Sequence, residues 1–180
     1  GVDAIGFVGS SATADKIVRA AGLKRSLIEA SGNGPVVVLA DADIAKAAEA
    51  AVYGAYWNAG QVCCATERVI VDASIKDEFV QAALKAAEAV SLGDPFDEKT
   101  LMGPLCNEMT AAKMDAHVAD AVGRGASVLA GGQRRGGQPT DLYYELTVVD
   151  GVTEDMLVAR EESFGPIVPV IAANGDDDAL

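Results

Sequence analysis

Histidine is nearly missing from this chain. His117 is the single one in 180 residues. A papain-like thiol hydrolase needs an imidazole beside its cysteine and a serine hydrolase needs one beside its serine, so both chemistries would have to run through that one side chain. His117 sits in a stretch of helical pattern, Thr110 to Gly123, and is expected to be an exposed or hydrogen-bonded helix residue. Cysteine is also scarce. Cys63, Cys64 and Cys106 are three, two of them adjacent, which is no disulfide framework and suits a reducing compartment. With no CxxC or HxxxH pair, a structural zinc or histidine-based metal centre is not expected, and the metal set is none. Long apolar runs are absent too: none approaches the ~20 residues of a membrane span, and no basic segment leads into an apolar signal core. A soluble, cytoplasmic protein is expected.

What the chain does have is acid and apolar residues. The formal net charge is -13, and half of the residues are hydrophobic. Lys and Arg are scattered among acids instead of forming a patch, which disfavours nucleic acid and anionic membranes as partners. An apolar half is enough for a real core.

Strand and helix patterns alternate. Ala4 to Val8 reads as a strand that turns at Gly9 into a helix over Ala12 to Ala21, closed by Gly22. Ser26 to Ile28 and the β-branched run Val36 to Leu39 read as buried strands. Asp43 to Trp57 has helical spacing, with Asp41 or Asp43 as its N-cap. Arg68 to Val71 returns to strand, and Ser74 to Val90 is an amphipathic helix that Ser74 is placed to cap. Further strands are expected near Ser127 to Leu129, Leu146 to Val149 and Ile167 to Ile171. Loops are expected over Ser91 to Leu105 and Gly131 to Leu142. The pattern predicts an α/β fold with a largely parallel sheet flanked by helices.

Two residues stand out chemically. Cys63 follows Gly60-Gln61-Val62, a turn between helix and strand, where its sulfur and its own backbone N–H can face the same space; the competing reading is a buried, apolar cysteine. Glu29 ends an apolar strand and precedes the small residues Ala30 to Pro35. A partly desolvated carboxylate there would have a raised pKa useful to a general base, and the competing reading is a salt bridge to Lys24 or Arg25.

Six motifs, in order, resemble the aldehyde dehydrogenase superfamily: Phe7-Val8-Gly9-Ser10, Glu29 with its small-residue loop, Gly60-Gln61-Val62-Cys63, Gly93-Asp94-Pro95-Phe96, Gly103-Pro104-Leu105, and Glu161 to Pro166. Glu29 and Cys63 are separated by 34 positions, as the family keeps them. The resemblance implies Cys63 as the nucleophile that forms a thiohemiacetal and then a thioester, and Glu29 as the base that activates the hydrolytic water. It implies NAD or NADP as cofactor, with Gly9 and Ser10 near the pyrophosphate, Ala30 facing the nicotinamide amide, Glu162 on the nicotinamide-side ribose and Phe164 beside it. It implies residues 1–30 as the remnant of a dinucleotide-binding domain and 31–180 as a truncated catalytic domain. The partner is then a small aldehyde, and the full-length form a homo-oligomer. The isolated chain is expected to be inactive or weakly active. A non-catalytic domain that keeps the fold is the alternative, followed by a cysteine hydrolase or acyltransferase. Two departures are visible. Ser31 stands in a loop that is usually Leu-Gly-Gly in the family, and Leu146 stands where proline is usual.

Overall fold

Seven strands and six helices alternate along the chain in a computed structural model that describes residues 1–180. They divide into two units, Gly1–Gly32 and Asn33–Leu180.

The first unit is a single strand–helix–strand. β1 (Ala4–Gly9) and β2 (Arg25–Ala30) run parallel, in a register that sets Val8 opposite Glu29 and Gly9 opposite Ala30. Between them α1 (Ser11–Ala21) is capped by Ser10, whose hydroxyl accepts from the Thr13 N–H. Gly22 ends the helix in the left-handed region that glycine enters without steric cost. The strand over Ser26 to Ile28 is present but not buried as its apolar run suggested. β2 pairs with β1 alone, and Leu27 is 81% exposed.

The second unit holds a five-stranded sheet in the order β3-β4-β7-β6-β5. Its strands are β3 (Gly34–Val38), β4 (Thr66–Asp72), β5 (Ser127–Ala130), β6 (Thr147–Asp150) and β7 (Ile167–Ala173). All pairings are parallel except β5 on β6. This is the largely parallel sheet that the alternating pattern predicts. Its central strands are the buried ones: Val69, Val71, Val168 and Val170 are fully enclosed, as parallel strands covered on both faces should be.

Helices supply the covering layers. α2 (Ile44–Tyr56) buries Ala48, Ala51, Val52 and Ala55, a single stripe at helical spacing. Asp43 caps it, accepting from the Lys46 N–H at 3.2 Å. α3 (Lys76–Glu88) packs on α2 and buries Phe79, Val80 and Ala83. Ser74 does not cap α3. Its N–H and hydroxyl both donate to the Asp72 carboxylate, and the helix begins only after Ile75. α4 (Glu108–Gly123) is capped by Asn107. Two short helices, α5 (Leu157–Arg160) and α6 (Asp176–Ala179), flank β7 in sequence. No helix is long and apolar enough to cross a membrane. Leu146 is partly buried and packs against the core, so the change from proline bears on packing.

Candidate functional site

In the second unit two segments meet. One is the turn that carries the cysteines, and the other is the loop Glu161 to Pro166 that leads into β7.

The cysteine turn is tightly made. After α2 the chain passes through a 3-10 turn, Trp57–Gly60, in which Asn58 and Ala59 take left-handed conformations. The Gln61 side chain is held on both sides: its amide donates to the Asn58 carbonyl at 3.0 Å, and its oxygen accepts from the Cys106 N–H at 2.8 Å. Ala65 then closes a turn back to the Val62 carbonyl, leaving Cys63 and Cys64 as its two central residues. Both are exposed, as is Cys106. The buried-cysteine alternative is therefore set aside. Gly60 is needed twice over, for its left-handed φ of 73° and because a Cβ there would run into the Gly165 carbonyl oxygen. The cysteine turn and the Glu161–Pro166 loop thus touch backbone to backbone.

The loop is held from two other directions. Glu67 lies near the start of β4 and is 2% exposed. Its Oε2 accepts from the Ser163 N–H at 2.7 Å and its Oε1 from the Phe164 N–H at 3.0 Å. Desolvation pushes the Glu67 pKa up, while the two N–H groups pull it back. From α4, buried His117 brings Nδ1 to 3.1 Å from the Ser163 hydroxyl, and its Nε2 lies 3.9 Å from Glu161. Desolvation, then the Lys113 charge, holds the imidazole below its usual pKa, against the opposing pull of Glu161 and Asp120. His117 is thus the satisfied helix residue expected, engaged with the loop, and no observation supports it as the base of a thiol hydrolase. Phe164 has a left-handed φ of 55°, and Phe164 and Glu162 are half-buried.

Glu67 was not among the residues read from the sequence. The signal was present: strand alternation sets it on the same face as Val69 and Val71, both core residues, where a carboxylate needs hydrogen-bond donors.

In the first unit Glu29 is the penultimate residue of β2 and is exposed. The partial desolvation expected of it is not found, because β2 has only β1 as a neighbour. Gly9 and Ser10 sit at the start of α1. A Cβ on Gly9 would come within 2.7 Å of the Phe7 ring. Ser31 adopts the left-handed φ of 63° that glycine usually fills, and its hydroxyl gives something back by accepting from the Ser11 N–H at 3.2 Å. The Ala30 carbonyl accepts from the Ser11 hydroxyl at 3.2 Å. The first turn of α1 carries no acidic side chain, and its Ser11 and Thr13 N–H groups donate to the Ser31 and Ser10 hydroxyls. No group of His, Cys, Asp or Glu side chains could hold a metal ion.

Residues 1–180 match the pattern of the aldehyde dehydrogenase family. The chain belongs to that family. It is 40% identical over 158 residues to vanillin dehydrogenase of Pseudomonas fluorescens, covering 88% of this chain and 32% of that protein. It is 37% identical to the peroxisomal aminoaldehyde dehydrogenase 2 of Pisum sativum, covering 99% of this chain and 36% of that one. The chain thus spans about a third of the length of these curated relatives. Among solved structures, an NAD-dependent aldehyde dehydrogenase from Sinorhizobium meliloti superposes with a TM-score of 0.93 at 39% identity, over 99% of this chain and 36% of that one. A 3,6-anhydro-L-galactose dehydrogenase, solved with NADP, gives 0.93 at 38% identity, over 98% of this chain and 38% of that one. The fold of this aldehyde dehydrogenase family member is therefore that of family enzymes that use NAD or NADP.

Proposed function

We propose that the chain carries the thiol-bearing part of an NAD- or NADP-dependent aldehyde dehydrogenase, with Cys63 as nucleophile and Glu29 as general base. The observation that supports this most is the exposed Cys63, held in a hydrogen-bonded turn whose backbone meets the Glu161–Pro166 loop, in a chain that matches the family from end to end. Cys63 Sγ, as thiolate, bonds to the aldehyde carbonyl carbon, and the oxygen takes the negative charge, which the Cys63 N–H helps to stabilise. A bound dinucleotide would supply the hydride acceptor, and Cys63 would then hold the acyl group as a thioester. Glu29 then removes a proton from water as the water oxygen attacks the thioester carbonyl, and the thiolate leaves with release of the acid. Gly9 and Ser10 would hold the pyrophosphate, Ala30 the nicotinamide amide, and Glu162 and Phe164 the nicotinamide-side ribose.

The activity is assigned to a whole enzyme of which this chain is about a third; the 180 residues alone are expected to turn over little aldehyde. Assembly as a homo-oligomer belongs to the same proposal and rests on the family likeness. A cytoplasmic setting is part of the same reading and rests on the sequence alone.

Thiol labelling tests the nucleophile. All three cysteines are exposed, so differences in their rates with iodoacetamide report reactivity more than access. Cys63 should alkylate about ten times faster than Cys64 and Cys106, and aldehyde should protect it alone. Equal rates, with no protection, would remove Cys63 from the role.

A further inference from the structure

Glu67 takes no part in the chemistry proposed above, yet it is a fully buried carboxylate with both oxygens committed to a single loop. It stands four residues beyond Cys63, on the strand that leaves the cysteine turn. Its partners are the consecutive N–H groups of Ser163 and Phe164, at 2.7 and 3.0 Å. Those groups follow Glu162 directly, and Phe164 is held at a φ that side-chain-bearing residues rarely adopt. A left-handed residue persists only where its surroundings over-determine it, and two hydrogen bonds to one ionised group do that. The contact of Gly60 with Gly165 pins the far end of the same loop to the near end of the same turn. His117 secures the Ser163 side chain, so Ser163 is held by side chain and backbone together.

We propose that Glu67 is a positioning residue: by receiving the Ser163 and Phe164 N–H groups it fixes the left-handed bend that directs Glu162 and Phe164, and it joins this loop to the strand carrying the Cys63 turn. The inference rests on the reading of Glu162 and Phe164 as cofactor contacts. It goes beyond that reading in naming what holds them. Glu67 touches neither substrate nor cofactor and acts only through the two amides.

Glu67→Gln keeps the size of the side chain but turns an NH2 group toward one of the two N–H donors. In the 180-residue chain we expect hydrogen exchange at the Ser163 and Phe164 amides to quicken by about tenfold or more, the scale of one lost hydrogen bond to a charged group. The dissociation constant for NAD or NADP, followed by ligand-observed NMR, should rise by about tenfold. Iodoacetamide alkylation of Cys63 should stay within about twofold, since the turn keeps its own hydrogen bonds through Gln61. Glu67→Asp, which keeps the carboxylate, should recover part of the affinity, and it carries the same readouts if the glutamine variant does not fold. Unchanged cofactor affinity despite faster exchange overturns the proposal. So does a parallel loss of affinity, thiol reactivity and melting temperature, which a general structural role would produce. If the parent chain, about a third of the whole enzyme, binds neither dinucleotide, affinity drops out as a readout. Positioning is then decided by exchange alone, and undisturbed protection of the two amides in Glu67→Gln overturns it.

Discussion

The Gly1–Gly32 unit and the Asn33–Leu180 unit are built from the same strand–helix–strand grammar and are held together by different forces. In the first, Ala14 is the one buried residue, while Val8 and Leu27 are mostly in solvent. Its order comes from local bonding: the Ser10 cap, the Ser31 hydroxyl on the Ser11 N–H, the parallel ladder of β1 and β2, and an exposed Asp15–Arg19 pair. In the second, a continuous cluster runs from α2 and α3 through β4, β7 and β6. Regular elements therefore say little about where stability resides. Burial does, and the two proposed reacting groups fall on opposite sides of the divide, Glu29 in the first unit and Cys63 in the second.

The sharpest way to break this contrast is to remove core volume. Phe79 is the largest aromatic side chain buried in α3, with no exposed surface. Phe79→Ala should lower the stability of the Asn33–Leu180 unit by about 3–5 kcal/mol, as cavities in well-packed cores do. Urea denaturation followed by the fluorescence of Trp57 measures it. A loss below about 1 kcal/mol would mean that burial is not what distinguishes the larger unit.

The same contrast explains what the sequence discloses and what it hides. Patterns that depend on near neighbours in the chain are legible: the Asp43 cap, the stripe on α2, the β-branched runs of β4 and β7, and the Gly60 turn that presents Cys63. Ser74 misleads because Asp72, two residues away, is the stronger acceptor and takes the hydroxyl first. The Ser26 to Ile28 strand misleads in another way. An apolar strand is buried only if something covers it, and coverage is a property of other elements. Glu67 is hidden for the converse reason, since a charged residue reads as surface until its donors, 96 and 97 positions away, are in place. The family motifs single out the Glu161 to Pro166 segment, but the hydrogen bonds of Ser163 and Phe164 to Glu67 join segments remote in sequence. Ser31 looks like a defect by composition, and only the fold reveals that its hydroxyl reaches the start of α1.

A gentler probe of the larger unit is pH. His117 is buried and its folded pKa lies below the usual 6.5, so between those two values the unfolded chain binds more protons than the folded one. Its contribution to stability is then complete above about pH 6.5 and is lost as the pH falls toward the folded pKa, at no more than about 1.4 kcal/mol per pH unit. Glu67, with its folded pKa raised above 4.5, works in the opposite sense, its burial cost easing as acid is added. The comparison must therefore be made against a variant. Melting temperatures of the parent chain should fall between pH 6.5 and 5.5, and His117→Gln should flatten that slope. An unchanged slope would mean that the imidazole does not remain neutral inside the fold.

The smallest expected effect belongs to the smaller unit, and it is the one most specific to how that unit is held. Ser10→Ala removes the oxygen that accepts from the Thr13 N–H and should cost α1 about 1 kcal/mol, with the loss confined to its first turns. Ser10→Gly should cost only a few tenths. Amide exchange along α1 reads this directly, because a helix with one buried residue has little packing to mask the loss of a cap. Asn107→Ala in α4 is the control. Its cap oxygen also serves a helix N-terminus, yet α4 buries Ala111, Met114, His117, Val118 and Ala121 beyond it. The same substitution should therefore fray fewer residues there. If α4 frays as far as α1, capping and not burial governs the helices of both units.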